Sequence, residues 1–197
     1  MGKSRLFAVA HCPFEAARRV SILPPEHPCY KMHGHSFLAR IRKEVGSENT
    51  SELDLLDGTL EESLAPLDYD VLNDHIEIPT DENIARYVRE KIASTKIDVV
   101  GIQSTKNQGV DLDVDDVAHI WRRFRFEAAH QLPNVHPGHP CGRMHGHGFE
   151  VVIHARQSLE NHAMGVDFDQ IEALWQPLND TLNYSCLNQI PGLENPT

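Results

Sequence analysis

Three histidines and a cysteine in one stretch of the chain carry the clearest chemistry: His130, Cys141, His145 and His147. His145 and His147 are two residues apart, so on a β-strand both imidazoles leave the same face. His130 closes an earlier strand-like run, and an antiparallel hairpin can bring it opposite that pair. Three neutral imidazoles without a fourth protein ligand describe an open zinc position of the catalytic type, because structural zinc usually closes with four ligands. A thiol close to zinc and to Arg143 gains thiolate character, the form that a base or nucleophile needs. A small buried filler is the alternative reading of Cys141.

The same residue types occur earlier in the chain. Phe14-Glu15-Ala16-Ala17 returns as Phe126-Glu127-Ala128-Ala129, and His27-Pro28-Cys29 returns as His139-Pro140-Cys141. Met32-His33-Gly34-His35 returns as Met144-His145-Gly146-His147, and every pair is 112 residues apart. A looser match links Leu67-Asp68-Tyr69 with Leu182-Asn183-Tyr184, and Ile78-Pro79-Thr80 with Asn195-Pro196-Thr197. The chain therefore reads as a tandem repeat, with a first unit over 1–116 and a second over 117–197 that stops short of its last third. The copies are not equivalent. Arg18 stands where His130 stands, and an arginine cannot ligate zinc. His11 lies an odd number of residues before Arg18 and faces the other way on a regular strand. The first copy is expected to be metal-free, with Cys29 vestigial.

Elements that could position these groups are visible in the apolar periodicity. Leu6 to Arg18 and Ser36 to Lys43 read as strands flanking a loop rich in Pro and His. Leu53, Leu56, Leu60 and Leu64 recur at helical spacing. Thr80 is an N-cap for a second helix with Ile84, Val88 and Ile92 on its apolar stripe. Asp98 to Gln103 and Val110 to Val114 look like strands around a turn at Asn107-Gln108-Gly109. The second copy has strands near 120–131 and 148–155. Its helix, near 167–182, should turn Phe168, Ile171, Leu174, Leu178 and Leu182 inward. Hairpins joined by helices argue the α+β class, with antiparallel sheets and helices on one face.

Bulk properties narrow the function. The 197 residues are 40% hydrophobic and 24% charged, as in ordinary globular chains. A formal net charge of −11 argues against nucleic acid or an anionic membrane as a partner. No apolar run approaches the roughly 20 residues of a membrane span, and the N-terminal apolar stretch is too brief for a secretory signal, so a cytoplasmic location is expected. None of the four cysteines forms a CxxC pair, and no disulfide framework is expected.

Phe126-Glu127-Ala128-Ala129-His130 followed by Cys141-Gly142-Arg143-Met144-His145-Gly146-His147 closely resembles the 6-pyruvoyl-tetrahydropterin synthase and 6-carboxytetrahydropterin synthase family. Val166-Asp167-Phe168 and the run Leu187 to Thr197 resemble the carboxytetrahydropterin branch, which serves queuosine biosynthesis, a tRNA modification. The resemblance implies the tunnelling fold, in which β-β-α-α-β-β units join edge to edge with active sites between them, and a cytoplasmic homo-oligomer. It implies a lyase that uses Zn2+, held by His130, His145 and His147, on 7,8-dihydroneopterin triphosphate. Zinc holds the side-chain hydroxyls, Cys141 removes a carbon-bound proton and triphosphate is eliminated; in the carboxy branch a two-carbon fragment then leaves. Arg143, with Arg123 and Arg125, would meet the triphosphate.

Departures from the family pattern are equally specific. The family relays protons through a Leu-Asp-His motif, whereas the two copies here read Leu67-Asp68-Tyr69 and Leu182-Asn183-Tyr184. Asp68 alone keeps the carboxylate and is the expected second catalytic group. Thr80-Asp81-Glu82-Asn83 matches the family's Thr-x-Glu-Asn helix start, which makes Thr80 and Glu82 substrate-binding candidates; a carboxylate can accept two hydrogen bonds from a pterin edge. Glu82 reads equally as a favourable charge in a helix first turn. Ser104 stands where the family has a second glutamate. One picture has the second copy supply zinc and Cys141 to a composite site completed by Glu82 and Asp68. The alternative is a catalytically degenerate pterin- and zinc-binding or assembly module. A third, an unrelated zinc hydrolase, would need Glu127 or Glu150 as base, and neither lies in a hydrolase motif.

Overall fold

Alternating burial defines the strands, and capping residues define the helices, in a computed structural model that describes residues 5–46, 51–92, 96–158 and 166–196. The elements run β1 (Leu6–Arg18), β2 (His33–Val45), α1 (Ser51–Leu64), β3 (Asp70–Val71), α2 (Asp81–Lys91), β4 (Val99–Thr105), β5 (Gln108–Asp113), β6 (Val117–His130), β7 (His145–Ser158), α3 (Phe168–Leu182) and β8 (Ser185–Cys186). The chain forms two compact units: Met1–Trp121 with His154–Val166, and Arg122–Ile153 with Asp167–Thr197. The architecture is mixed α+β with an open sheet.

In the first unit the strand order is β3-β1-β2-β4-β5. β1 pairs antiparallel with β2 so that Phe14 lies opposite Phe37 and Arg18 opposite His33. Even-numbered residues of β1 turn inward: Ala8, Ala10, Phe14, Ala16 and Arg18 are buried, while His11 is exposed, as its odd register requires. Phe14 and Phe37 stack at 4.8 Å. Burying a ring of that size stabilises by about 1.5–3 kcal/mol. Leu56, Leu60 and Leu64 of α1 and Ile84 and Val88 of α2 complete this core; the side chain of Leu53 lies outside the described residues. Thr80 is the N-cap of α2, its hydroxyl accepting from the Asn83 amide at 3.3 Å.

In the second unit, β6 turns Phe124, Phe126, Ala128 and His130 inward. α3 starts at a capping box in which Asp167 and Gln170 satisfy each other's backbone amides. Its buried face is Ile171 and Trp175, not the leucine stripe expected from the sequence: Leu174 is 67% exposed and Leu178 49%. The indole sets this rotation. Trp175 stacks on Phe124 at 5.1 Å and reaches Phe126 at 6.1 Å, and that aromatic area outweighs either leucine.

The expected antiparallel pairing holds for β1–β2, β2–β4 and β4–β5, and two short strands depart from it. β3 runs parallel to Ala16 and Ala17 of β1, and β8 runs parallel to Ala128 and Ala129 of β6. Each two-residue strand is held by the residue pair before it. The amide of Tyr69 donates to the Glu15 carbonyl and that of Tyr184 to the Glu127 carbonyl, both at 2.6 Å. Both tyrosines adopt left-handed backbone, with φ of 56° and 54°, a conformation that is an outlier for a bulky residue. No helix among the described residues is long and apolar enough to cross a membrane.

Candidate metal centre

The second unit brings His130, His145 and His147 together. One ring nitrogen from each lies within 4.8 Å of the others. His130 is buried at the end of β6, His145 opens β7 half-buried, and His147 is exposed on the same face two residues on. The ring centroids are 4.6, 5.2 and 4.9 Å apart. Backbone carbonyls set two of the tautomers. His145 Nδ1 is 2.7 Å from the Arg143 carbonyl, and His130 Nδ1 is 3.3 Å from that of Pro196. A carbonyl only accepts, so each Nδ1 carries the proton and each Nε2 keeps its lone pair. His130 Nε2 is buried without a hydrogen-bond partner. An orphaned buried acceptor is costly, and a cation beside it removes that cost. This donor set fits zinc with one side left open.

Cys141 is not a member of the three-histidine group. It is half-buried on a 3-10 helix of one turn, Pro140–Gly142. Its amide donates to His139 Nδ1 at 3.1 Å, and its carbonyl accepts from the Leu132 amide at 2.8 Å, which ties the loop back two residues beyond His130. Arg143 is exposed, and its carbonyl, rather than its side chain, orients His145. Arg123 and Arg125 lie on the opposite face of β6 from His130 and pair with Glu150 at 3.8 Å and Glu127 at 2.9 Å. An open groove of about 400 Å³ in this unit is lined by Glu127, Gly146, His147, Gly148 and the 86% exposed Tyr184.

The first unit holds Thr80, Glu82 and Asp68. Glu82, only 6% exposed, is far from the solvated first-turn charge that the sequence equally allowed. Burial pushes its carboxyl above the usual range, against its own backbone amide and the Thr80 hydroxyl, which favour the charged form. Asp68 is exposed and its Oδ1 accepts from the Glu15 amide at 2.9 Å; Asn183 Oδ1 accepts from the Glu127 amide in the same way at 3.0 Å. An amide oxygen serves that bond as well as a carboxylate does. Cys29 repeats the loop of Cys141, with its carbonyl accepting from the Val20 amide at 2.8 Å.

Where His130 stands in the second unit, the first has Arg18 in a buried network that the sequence reading missed. NH1 donates to Asp81 Oδ1 at 2.7 Å and to the Pro79 carbonyl at 3.0 Å, and NH2 approaches His35 Nε2 at 3.3 Å. Ser104 Oγ donates to the other Asp81 oxygen at 2.7 Å. Burial, and then the Arg18 charge, hold His35 down to about 4. A sequence signal existed: two apolar-register positions, 18 and 104, carry polar residues.

The 6-pyruvoyl tetrahydropterin synthase family model matches residues 7–113 and again 119–197. A 6-carboxy-5,6,7,8-tetrahydropterin synthase of Synechocystis sp. is 38% identical over 84 residues, 40% of this chain and 64% of that protein, so the match spans less than two thirds of that relative. An Archaeoglobus fulgidus protein, provisionally named a 6-carboxy-5,6,7,8-tetrahydropterin synthase, is 29% identical over 113 residues, 55% of this chain and 88% of its own. The structure of Caenorhabditis elegans 6-pyruvoyl tetrahydropterin synthase aligns over 52% of this chain and 91% of its own, at 22% identity and a TM-score of 0.46.

Proposed function

Because the chain belongs to the 6-pyruvoyl tetrahydropterin synthase family, we propose that it is a zinc-dependent lyase acting on 7,8-dihydroneopterin triphosphate, with the product chemistry of the 6-carboxytetrahydropterin synthases. The observation that carries this reading is the convergence of His130, His145 and His147, with His130 Nε2 buried and unpartnered. When bound, zinc would polarise and acidify a substrate hydroxyl. The chain's own residues supply the rest. His145 and His130 present Nε2 because backbone carbonyls fix their tautomers. Cys141 is the proton-abstracting base, carried on a turn that the Leu132 amide and His139 hold in place. Arg143 is exposed and free to meet phosphate oxygens. Thr80 and the buried Glu82 form the pterin anchor, and residues 1–116 and 117–197 are two tunnelling-fold units of a homo-oligomer.

A second reading is favoured by one specific observation. The relay positions are occupied by Asp68 and Asn183, and both are engaged in the same backbone clamp. A pterin- and zinc-binding module without turnover would need nothing more. Incubation of the zinc-loaded chain with 7,8-dihydroneopterin triphosphate separates the two. The lyase reading expects release of triphosphate that Cys141→Ala stops without loss of zinc. Tight pterin binding with no triphosphate released would establish the module instead.

A further inference from the structure

The first unit keeps two of the three imidazoles and has rebuilt the space around them. His33 Nδ1 donates to the Lys31 carbonyl at 2.7 Å, the bond that His145 makes to Arg143, so its Nε2 points inward. That Nε2 is buried with no hydrogen-bond partner, as is Arg18 Nε. His35 Nε2 faces the guanidinium at 3.3 Å. Arg18, Asp81 and Ser104 are 5%, 2% and 2% exposed, and the guanidinium lies at 5.1 Å over the Phe37 ring. A buried guanidinium needs a charged partner and several acceptors. Here these are Asp81, the Pro79 carbonyl and His35, with Ser104 fixing the far oxygen of Asp81.

From this arrangement we infer that Arg18 is a resident cation that keeps metal out of the first unit, and that His33, His35 and Asp81 form a latent metal-binding set which opens when the guanidinium is removed. One imidazole nitrogen, from His35, and one carboxylate oxygen, from Asp81, already meet the guanidinium, and the His33 ring stands edge-on to that of His35 at 5.0 Å. Removing Arg18 leaves the His35 nitrogen and the uncompensated Asp81 carboxylate facing the vacated space, with the unpartnered His33 Nε2 on the neighbouring ring, and two histidines with one carboxylate are a recurrent ligand set for divalent metals. Substituting histidine there restores the residue type found at position 130.

The test is made in the full-length chain carrying His130→Ala, so that the second unit contributes no three-histidine site. Metal-free protein is titrated with Co2+, read by visible absorption, and with Zn2+, counted after dialysis. With Arg18 in place it should retain no metal. Adding Arg18→Ala or Arg18→His should give about one equivalent per chain, lost again on His35→Ala. If a variant is unfolded without metal, zinc-dependent recovery of its circular dichroism reads the same gain. The inference is overturned if neither Arg18 variant takes up metal, whether folded beforehand or offered zinc during refolding. It is equally overturned if the His130→Ala chain with Arg18 intact binds metal in a manner that His35→Ala abolishes. A wild-type chain that binds no zinc would count against the proposed lyase, not against this inference.

Discussion

Two places in this chain are framed by matching contacts and differ in the one side chain at their centre, Arg18 in the first and His130 in the second. Around Arg18 and around His130 the His-Pro-Cys turn, the carbonyl-held imidazole of His33 or His145 and the amide clamp at Asp68 or Asn183 recur almost bond for bond. At position 130 an imidazole leaves a buried lone pair without a partner. At position 18 a guanidinium fills the same register and brings Asp81 and Ser104 with it. One frame therefore either leaves a buried lone pair open, where we propose a metal ion binds, or fills the place with a covalently attached cation. Which it takes is decided by a single side chain and by what lies opposite it.

The largest expected difference is catalytic. Cys141→Ala should lower triphosphate release at least a hundredfold, of the order that general acid–base groups contribute, whereas Cys29→Ala should leave it within about twofold. Equal losses from both cysteines would erase the comparison, and a steady-state assay of the two variants decides.

Next in size is stability without metal. Arg18 and Asp81 form a buried pair at 2.7 Å with side chains 6% and 1% exposed. Removing either partner should destabilise the first unit by about 3–5 kcal/mol, seen as an earlier denaturant midpoint. His130→Ala, measured metal-free, should cost less, because it removes an unpartnered acceptor.

The pH dependence should differ as well. His35 is held near 4 in the folded state, mainly by burial and then by Arg18, against an ordinary value of 6.5. The folded form is thus the weaker proton binder, and stability is full above about 6.5 and is lost as pH falls toward 4. His35→Gln should flatten that decline. Glu82 has the opposite sign: burial raises its folded value, so its ionisation disfavours folding as pH rises through that value. Glu82→Gln should therefore stabilise at neutral pH relative to acid pH while weakening pterin binding, as read by thermal melts at both pH values and a pterin titration.

The smallest effect is expected at Gly148, which corresponds to Ser36. A Cβ there meets the guanidinium end of the Arg125 side chain, a flexible group that can move. Gly148→Ala should shift stability by no more than about 0.5 kcal/mol in a denaturation curve.

The clustering of the three histidines was legible in the sequence because strand alternation and a hairpin are local rules: His145 and His147 share a face, and His130 ends the partner strand. Most elements were legible for the same reason. The fate of Arg18 was not. Its counter-ion is 63 residues away on the first turn of a helix, where an acid usually faces water, and only packing brings the two together. In α3 the apolar arc was wide enough to admit several rotations, and Trp175 chose among them through Phe124 and Phe126. β3 and β8, two residues each, carry no periodicity to read. Asp68 looked catalytic by its place in a motif; its contact is a backbone clamp that Asn183 makes equally well.

Zinc counting in three chains tests the central claim most directly: wild type, His130→Ala and His35→Ala, each metal-stripped, reloaded and dialysed. The account predicts about one zinc per chain in the wild type and in His35→Ala, and none in His130→Ala. Zinc retained by His130→Ala, or lost from His35→Ala, would contradict it.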